Sequence, residues 1–125
     1  MYSISNIYMA KKQKTDLLRG TLDLLILRTL ELQPLHGIAI ADRIRSVTQG
    51  TFVVQAGSLF PALHRLVQEG WIAGEWSIDQ GKRIKSYTLT AAGRKQLGEE
   101  KRLWNRIVAA VGQVLETSPT VGGKD

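Results

Sequence analysis

Cysteine is absent from the 125 residues. That gap excludes disulfides, thiolate zinc centres, iron–sulfur clusters and cysteine nucleophiles together, and it fits a reducing compartment. Histidine is nearly as scarce. His36 and His64 are the two copies, and neither has a carboxylate or third ligand at metal spacing, so no metal and no cofactor is expected. Long apolar runs are missing too. A bilayer span needs ~20 apolar residues, whereas the densest stretch, Leu17 to Leu32, is broken by Arg19, Asp23, Arg28 and Glu31. The opening MYSISNIYMAKKQK places its charges after its mildly apolar part, the reverse of a secretory signal. The cytoplasm is therefore the expected location, with no membrane partner. Met9, directly before the basic run, is an alternative start of translation. Acidic residues are the minority charge, 11 against 17 Lys and Arg, for a net charge of +6.

What is present suits one small folded domain. Apolar residues make up 43% of the chain, too many for a disordered sequence, and the length fits a single modest core. Residues 1–14 read as a flexible basic arm carrying Lys11, Lys12 and Lys14. Thr15 or Asp16 can cap a first helix through Leu32. Its apolar positions leave no wide polar face, which predicts contact with something on two sides. Pro34-Leu35-His36-Gly37 forms a turn, with His36 satisfying it or capping the next helix. A second helix is expected from Gly37 to about Thr48, with Ile38, Ile40, Ala41 and Ile44 facing inward and Asp42, Arg43 and Arg45 outward.

A third helix is expected from Ala56 or Ser58 to Glu69, closed by Gly70 in the C′ position. Leu59, Leu63, Leu66 and Val67 give its inward stripe. Pro61 is placed in its first turn. Two alternating segments follow, Trp71 to Ile78 and Arg83 to Leu89, joined by the hairpin tip Asp79-Gln80-Gly81-Lys82. Trp71 and Trp76 are expected to cover the core, and Tyr87 to pack beneath the hairpin. Thr90 caps a final helix from Ala91 to about Glu116, in which Gly93 and Gly98 weaken the first turns. Leu97, Trp104, Ile107, Val108, Val111, Val114 and Leu115 form a near-heptad stripe on it. Residues 118–125 read as a disordered tail.

Three helices, a hairpin and a long helix suit a winged helix–turn–helix, mainly α with a small β-hairpin, in which the third helix enters the major groove. Lys82, Arg83 and Lys85 crowd the hairpin tip, where a wing would lie beside a phosphate backbone. Ser58, Pro61, Ala62, His64, Arg65 and Gln68 lie on the outward face of helix three, where the small residues permit close approach and His64, Arg65 and Gln68 can meet base edges or phosphates. Gln55, just before that helix, can hydrogen-bond a phosphate. The plainer alternative is that these are solvated surface charges and Ser58 a helix N-cap. Catalysis finds no support: Ala56-Gly57-Ser58-Leu59-Phe60 is not a nucleophile elbow, and no enzyme is expected.

Longer blocks carry a specific resemblance. They are Gly20-Thr21-Leu22-Asp23-Leu24-Leu25-Ile26-Leu27, the turn Pro34-Leu35-His36-Gly37, and Gly57-Ser58-Leu59-Phe60-Pro61-Ala62-Leu63-His64-Arg65-Leu66. Glu69-Gly70-Trp71-Ile72 follows, then Arg83, Lys85 and Tyr87-Thr88-Leu89-Thr90 leading to Gly93. Over about residues 17–105 the chain resembles the PadR family of bacterial transcription regulators. It departs from the family at Ile38, where an aromatic is usual, and at Phe60, where a tyrosine lies near the DNA backbone.

The resemblance implies a winged-helix DNA-binding domain over 15–90 and a dimerisation helix over 91–117, as in the family's small subgroup. It implies DNA contacts from Gln55, Ser58, Phe60, His64, Arg65, Lys82, Arg83 and Lys85. It further implies a homodimer built from Leu18, Leu22 and Leu25 of helix one and Leu97, Trp104, Ile107, Val108, Val111 and Leu115 of the last helix. Such a dimer would bind a palindromic operator in double-stranded DNA as a transcriptional regulator, a repressor by preference. Trp104 is expected as a dimer-core anchor. The alternative role for it, as in some relatives, is to line a pore for a small aromatic effector. The competing reading for the whole chain is a winged-helix dimer that binds a protein partner instead of DNA.

Overall fold

A glycine in the final helix determines how the elements meet. The computed structural model of the chain describes residues 20–119; the expected basic arm, Leu18 and nearly all of the expected tail lie outside them. Residues 20–32 are helical and are called α1. Ile26, Leu27 and Leu30 are its buried stripe, with Leu22, Leu24 and Leu25 half-covered beside it. The polar interruptions Asp23, Arg28 and Glu31 therefore sit on the flanks of a helix whose apolar residues outnumber the core positions available.

After Pro34, Leu35–His36 forms a short strand, β1, which pairs antiparallel with the last strand through Leu35↔Tyr87 and His36↔Ser86. This stretch was expected as a turn. Two residues are too few to show alternation, and the strand exists because a distant edge pairs with it. Helix α2 spans Gly37–Val47 and buries Ile40 and Ile44. His36 occupies its N-cap position without a side-chain cap bond, and Ile38 points to solvent rather than inward.

Helix α3 spans Ala56–Gln68 and buries Leu59, Leu63, Leu66 and also Ala62, expected on the outward face but adjacent in helical phase to the inward stripe. Gln55, not Ser58, is its N-cap residue. Pro61 is its sixth residue, one turn deeper than expected, where a proline forfeits a ladder bond. Gly70 closes the helix at φ 79°. Its N–H reaches the Val67 carbonyl at 3.0 Å and the Trp71 N–H reaches Leu66 at 3.1 Å, the double bond of a Schellman motif.

Strands β2 (Ile72–Asp79) and β3 (Lys82–Leu89) form the hairpin, in register Ile72↔Leu89 through Asp79↔Lys82. Gln80 and Gly81 both have positive φ, as a type I′ two-residue turn requires. The sheet order is β1-β3-β2. Ile72 and Tyr87 carry the base of the hairpin into the core.

Helix α4 spans Ala91–Leu115, about 37 Å at 1.5 Å per residue. The Thr90 hydroxyl accepts from the Gly93 N–H at 3.0 Å and donates to the Gly70 carbonyl at 2.7 Å. The helix start is thus tied to the end of α3. Gly93 is the buried residue at that junction, and a Cβ there would drive into the Trp71 carbonyl and the Leu89 side chain. The sequence alone counted Gly93 as a weak point; the packing makes it the position where α4 passes close to backbone. Leu97 then plugs the core at 1% exposure, and beyond it α4 leaves the domain.

Gly93→Ala is expected to destabilise the domain by about 2 kcal/mol, overpacking outweighing the gain in helix propensity. Gly98→Ala meets nothing closer than Arg102 at 3.8 Å and is expected to stabilise by up to about 1 kcal/mol. Urea unfolding of the two variants beside the wild type checks both signs.

Candidate nucleic-acid interface

Two surfaces stand out once the fold is assembled: the α3 start with the hairpin, and the far half of α4. On the first, Gln55, Ser58, Phe60, Pro61, His64 and Gln68 are all exposed. The first turn of α3 contains no acidic residue, so its free N–H groups and the positive end of its dipole are uncompensated. The Phe60 ring packs its edge against Gly37, where a Cβ would come within 2.8 Å. This contact seats the start of α2 on α3 and leaves part of the ring in solvent.

Arg65 is placed differently from its expected outward position. Its guanidinium makes a forked contact with the Asp23 carboxylate, at 2.9 to 3.1 Å. Asp23 is largely covered and Arg65 partly so. A charge matched in this way pins α3 to α1.

The hairpin cations are arranged otherwise. Lys82, Arg83 and Lys85 have no ion-pair partner among the described residues. Arg83 instead lies over the Trp76 ring, 4.4 Å from its centre, and Lys85 stands between Trp76 at 5.5 Å and Tyr87 at 5.7 Å. Trp76 was expected to cover the core, yet the core ends one rung below it and its ring is 54% exposed. Tyr87 packs beneath the hairpin as expected, and burial pushes its phenol above the usual range.

Of the nine positions expected at a dimer interface, Leu18 lies outside the described residues. Leu97 belongs to the domain's own core, which corrects its assignment to the interface. Trp104, Ile107, Val108, Val111 and Leu115 are all uncovered on α4, accompanied by Leu103 and Val114. Leu22 and Leu25 line a groove of about 150 Å³ with Phe52, Val53 and Val54, beside Ser58. Among the described residues no helix is long and apolar enough to cross a membrane, and no cluster of three His, Asp or Glu side chains could hold a metal ion.

This arrangement of α1 to α3, hairpin and projecting helix can be set beside known proteins. The model of the transcriptional regulator PadR-like family matches residues 26–99. The chain belongs to that family. It is thus a PadR-type transcriptional regulator, a family of regulators rather than enzymes. A PadR family regulator from Eggerthella lenta is 29% identical with a TM-score of 0.70, the match covering 93% of this chain and all of that one. A transcriptional regulator from Clostridium thermocellum is 26% identical with a TM-score of 0.73, over 78% of this chain and 96% of that one. A transcriptional regulator of Mycobacterium tuberculosis is 28% identical over 93 residues, which is 74% of this chain and 84% of the relative.

Asp23, Glu31 and Trp76 take positions in this PadR-family chain that sequence spacing does not reveal. Asp23 and Glu31 read as polar breaks in an apolar helix, and Trp76 as a core aromatic. Glu31 gathers Arg28, Arg94 at 3.6 Å and Lys101 at 3.5 Å, so one α1 carboxylate binds two cations of α4. The Arg28 hydrogen bond, aided by Lys101, holds its carboxyl below the usual range.

A lowered carboxyl value means the folded state favours the charged form. The Glu31 contribution is then fully present above the unfolded-state value and is lost as pH falls through the folded one. The stability difference between wild type and Glu31→Gln should be constant near neutrality and should shrink as pH drops through the carboxylate range. Urea midpoints of both proteins from pH 7 to about pH 3 measure it.

Proposed function

We propose that this regulator is a cytoplasmic homodimer that binds an inverted-repeat operator in double-stranded DNA and represses transcription by occupying it. The observation that carries the reading is the charge partition just described. Arg65 is matched by Asp23, Arg28 by Glu31, whereas Lys82, Arg83 and Lys85 are unmatched on the hairpin that rises from the end of α3. Unmatched cations on a projecting wing are what phosphate neutralisation uses, and phosphate contacts orient a protein on the duplex. The acid-free start of α3, with Gln55 and Ser58 at its tip and His64 one turn further, would then meet the major groove and read sequence there. Phe60 sits close enough to that surface to pack beside the backbone without a hydroxyl to donate.

The dimer part of the proposal is supported by apolar surface that one chain leaves uncovered. Trp104, Ile107, Val108 and Val111 recur along one side of α4, and the half-covered Leu22 and Leu25 of α1 offer a second apolar strip. A second copy would cover both, and a two-fold axis presents two α3 helices about 34–36 Å apart. Repression needs nothing beyond occupancy of a promoter by such a dimer.

In fluorescence anisotropy across a salt series, the chain should bind its own upstream intergenic DNA tightly in the presence of random duplex. Arg83→Ala should weaken binding to every duplex and reduce the slope of log K against log salt by about 0.9 for each Arg83 that meets a phosphate. Equal and weak wild-type binding to both duplexes goes against the proposal and favours docking on a protein.

The wild type should sediment as a dimer. Ile107→Asp, which sets a charge in the apolar stripe without touching the domain core, should sediment as a monomer and lose operator preference while keeping weak binding to random DNA. A monomeric wild type at the concentrations that bind DNA overturns the dimer.

A further inference from the structure

Among the described residues the Trp76 side chain is the most exposed aromatic, and the core does not explain its position. On its face of the hairpin the rungs run Ile72↔Leu89, Gly74↔Tyr87, Trp76↔Lys85 and Ile78↔Arg83. Ile72 and Tyr87 are buried, while Trp76 and Ile78 are exposed, so the apolar face continues past the end of the core. An exposed indole is an unfavourable choice for a solvated strand unless it has another task.

Its neighbours on that face are two cations. Lys85 stands directly opposite and Arg83 reaches it diagonally across the next rung, the two positions from which long side chains can cover a strand ring. Both cations sit over the ring within the distance at which its electron-rich face attracts them. Gly74 completes the arrangement. Lys85 Cε occupies the space a Cβ at Gly74 would need, so the lysine stem lies along the hairpin toward Tyr87 instead of swinging free. Tyr87, Lys85, Trp76 and Arg83 thus form a continuous row of alternating ring and cation.

Long basic side chains lose rotamer freedom when they meet a phosphate. Held in a row beforehand, they have less to lose. We infer that Trp76 is a positioning residue: it holds Arg83 and Lys85 in the orientation in which the hairpin meets the DNA backbone. The inference rests on the proposed reading of the hairpin as a phosphate-binding wing. Trp76 acts through the two cations and needs no contact of its own with DNA.

The test uses the full chain and a short random-sequence duplex at low salt, because phosphate binding is independent of sequence. Trp76→Ala should weaken binding about tenfold, the size of two exposed cation–ring contacts acting together. Its salt slope should stay at the wild-type value, since both charges remain. Trp76→Phe should recover most of the loss. In an Arg83→Ala/Lys85→Ala background, Trp76→Ala should change affinity by less than about twofold, since coupled residues do not add.

Wild-type affinity in Trp76→Ala overturns the inference. So does an equal loss with and without the two cations, which is what a ring touching DNA itself, or damage to the fold, would produce. If Arg83→Ala/Lys85→Ala alone binds like the wild type, the wing reading fails and the inference falls with it. That outcome is separate because it involves no change at Trp76.

Discussion

The close passage of α4 over the Trp71 carbonyl at Gly93 fixes the geometry from which both surfaces follow. Thr90 holds the Gly93 N–H and the Gly70 carbonyl with one hydroxyl, and the Thr90 N–H bonds the Trp71 carbonyl. The end of α3, the base of the hairpin and the start of α4 therefore meet at a single point. The direction of α4 is set there. With Leu97 as the last core contact, every apolar residue from Leu103 onward is carried beyond the domain that would otherwise have buried it. The same junction fixes where the hairpin leaves α3, and so which of its rungs lie past the core.

Charge follows the same division. Where elements must be held together, cations are matched: Arg65 by Asp23 between α1 and α3, Arg94 and Lys101 by Glu31 between α1 and α4. At the hairpin, Arg83 and Lys85 are instead set over aromatic faces. A carboxylate partner would cancel the field a phosphate sees, whereas a ring orients a cation and leaves its charge intact. The partner, a carboxylate for Arg65, Arg94 and Lys101 and a ring for Arg83 and Lys85, distinguishes basic residues that sequence spacing presents alike.

Much of this was legible in the sequence because it is local. The Gly70 stop, the Thr90 cap, the Asp79–Lys82 hairpin tip and the inward stripe of α3 each depend on a few consecutive residues. What was not legible depends on where distant elements end relative to one another. The register puts Trp76 and Ile72 on one face, but alternation in the sequence does not say that the core stops at the Gly74–Tyr87 rung. Arg65 is outward by helical phase, and it took the position of α1 to bring Asp23 within reach. β1 exists because β3 has a free edge there. Gly93, poor for a helix in isolation, is required by a carbonyl twenty-two residues earlier in the chain.

The uncovered stripe on α4 also links stability to assembly. Trp104, Ile107, Val108 and Val111 belong to a helix whose second half has no partner among the described residues, and isolated helical segments of about a dozen residues are marginal in water. Its helicity there must come from what packs on it. If that is a second copy, the far half of α4 and the spacing of the two α3 helices become fixed by one association step, and chain concentration enters both. The Glu31 cluster sits at the root of this lever, where α4 leaves α1.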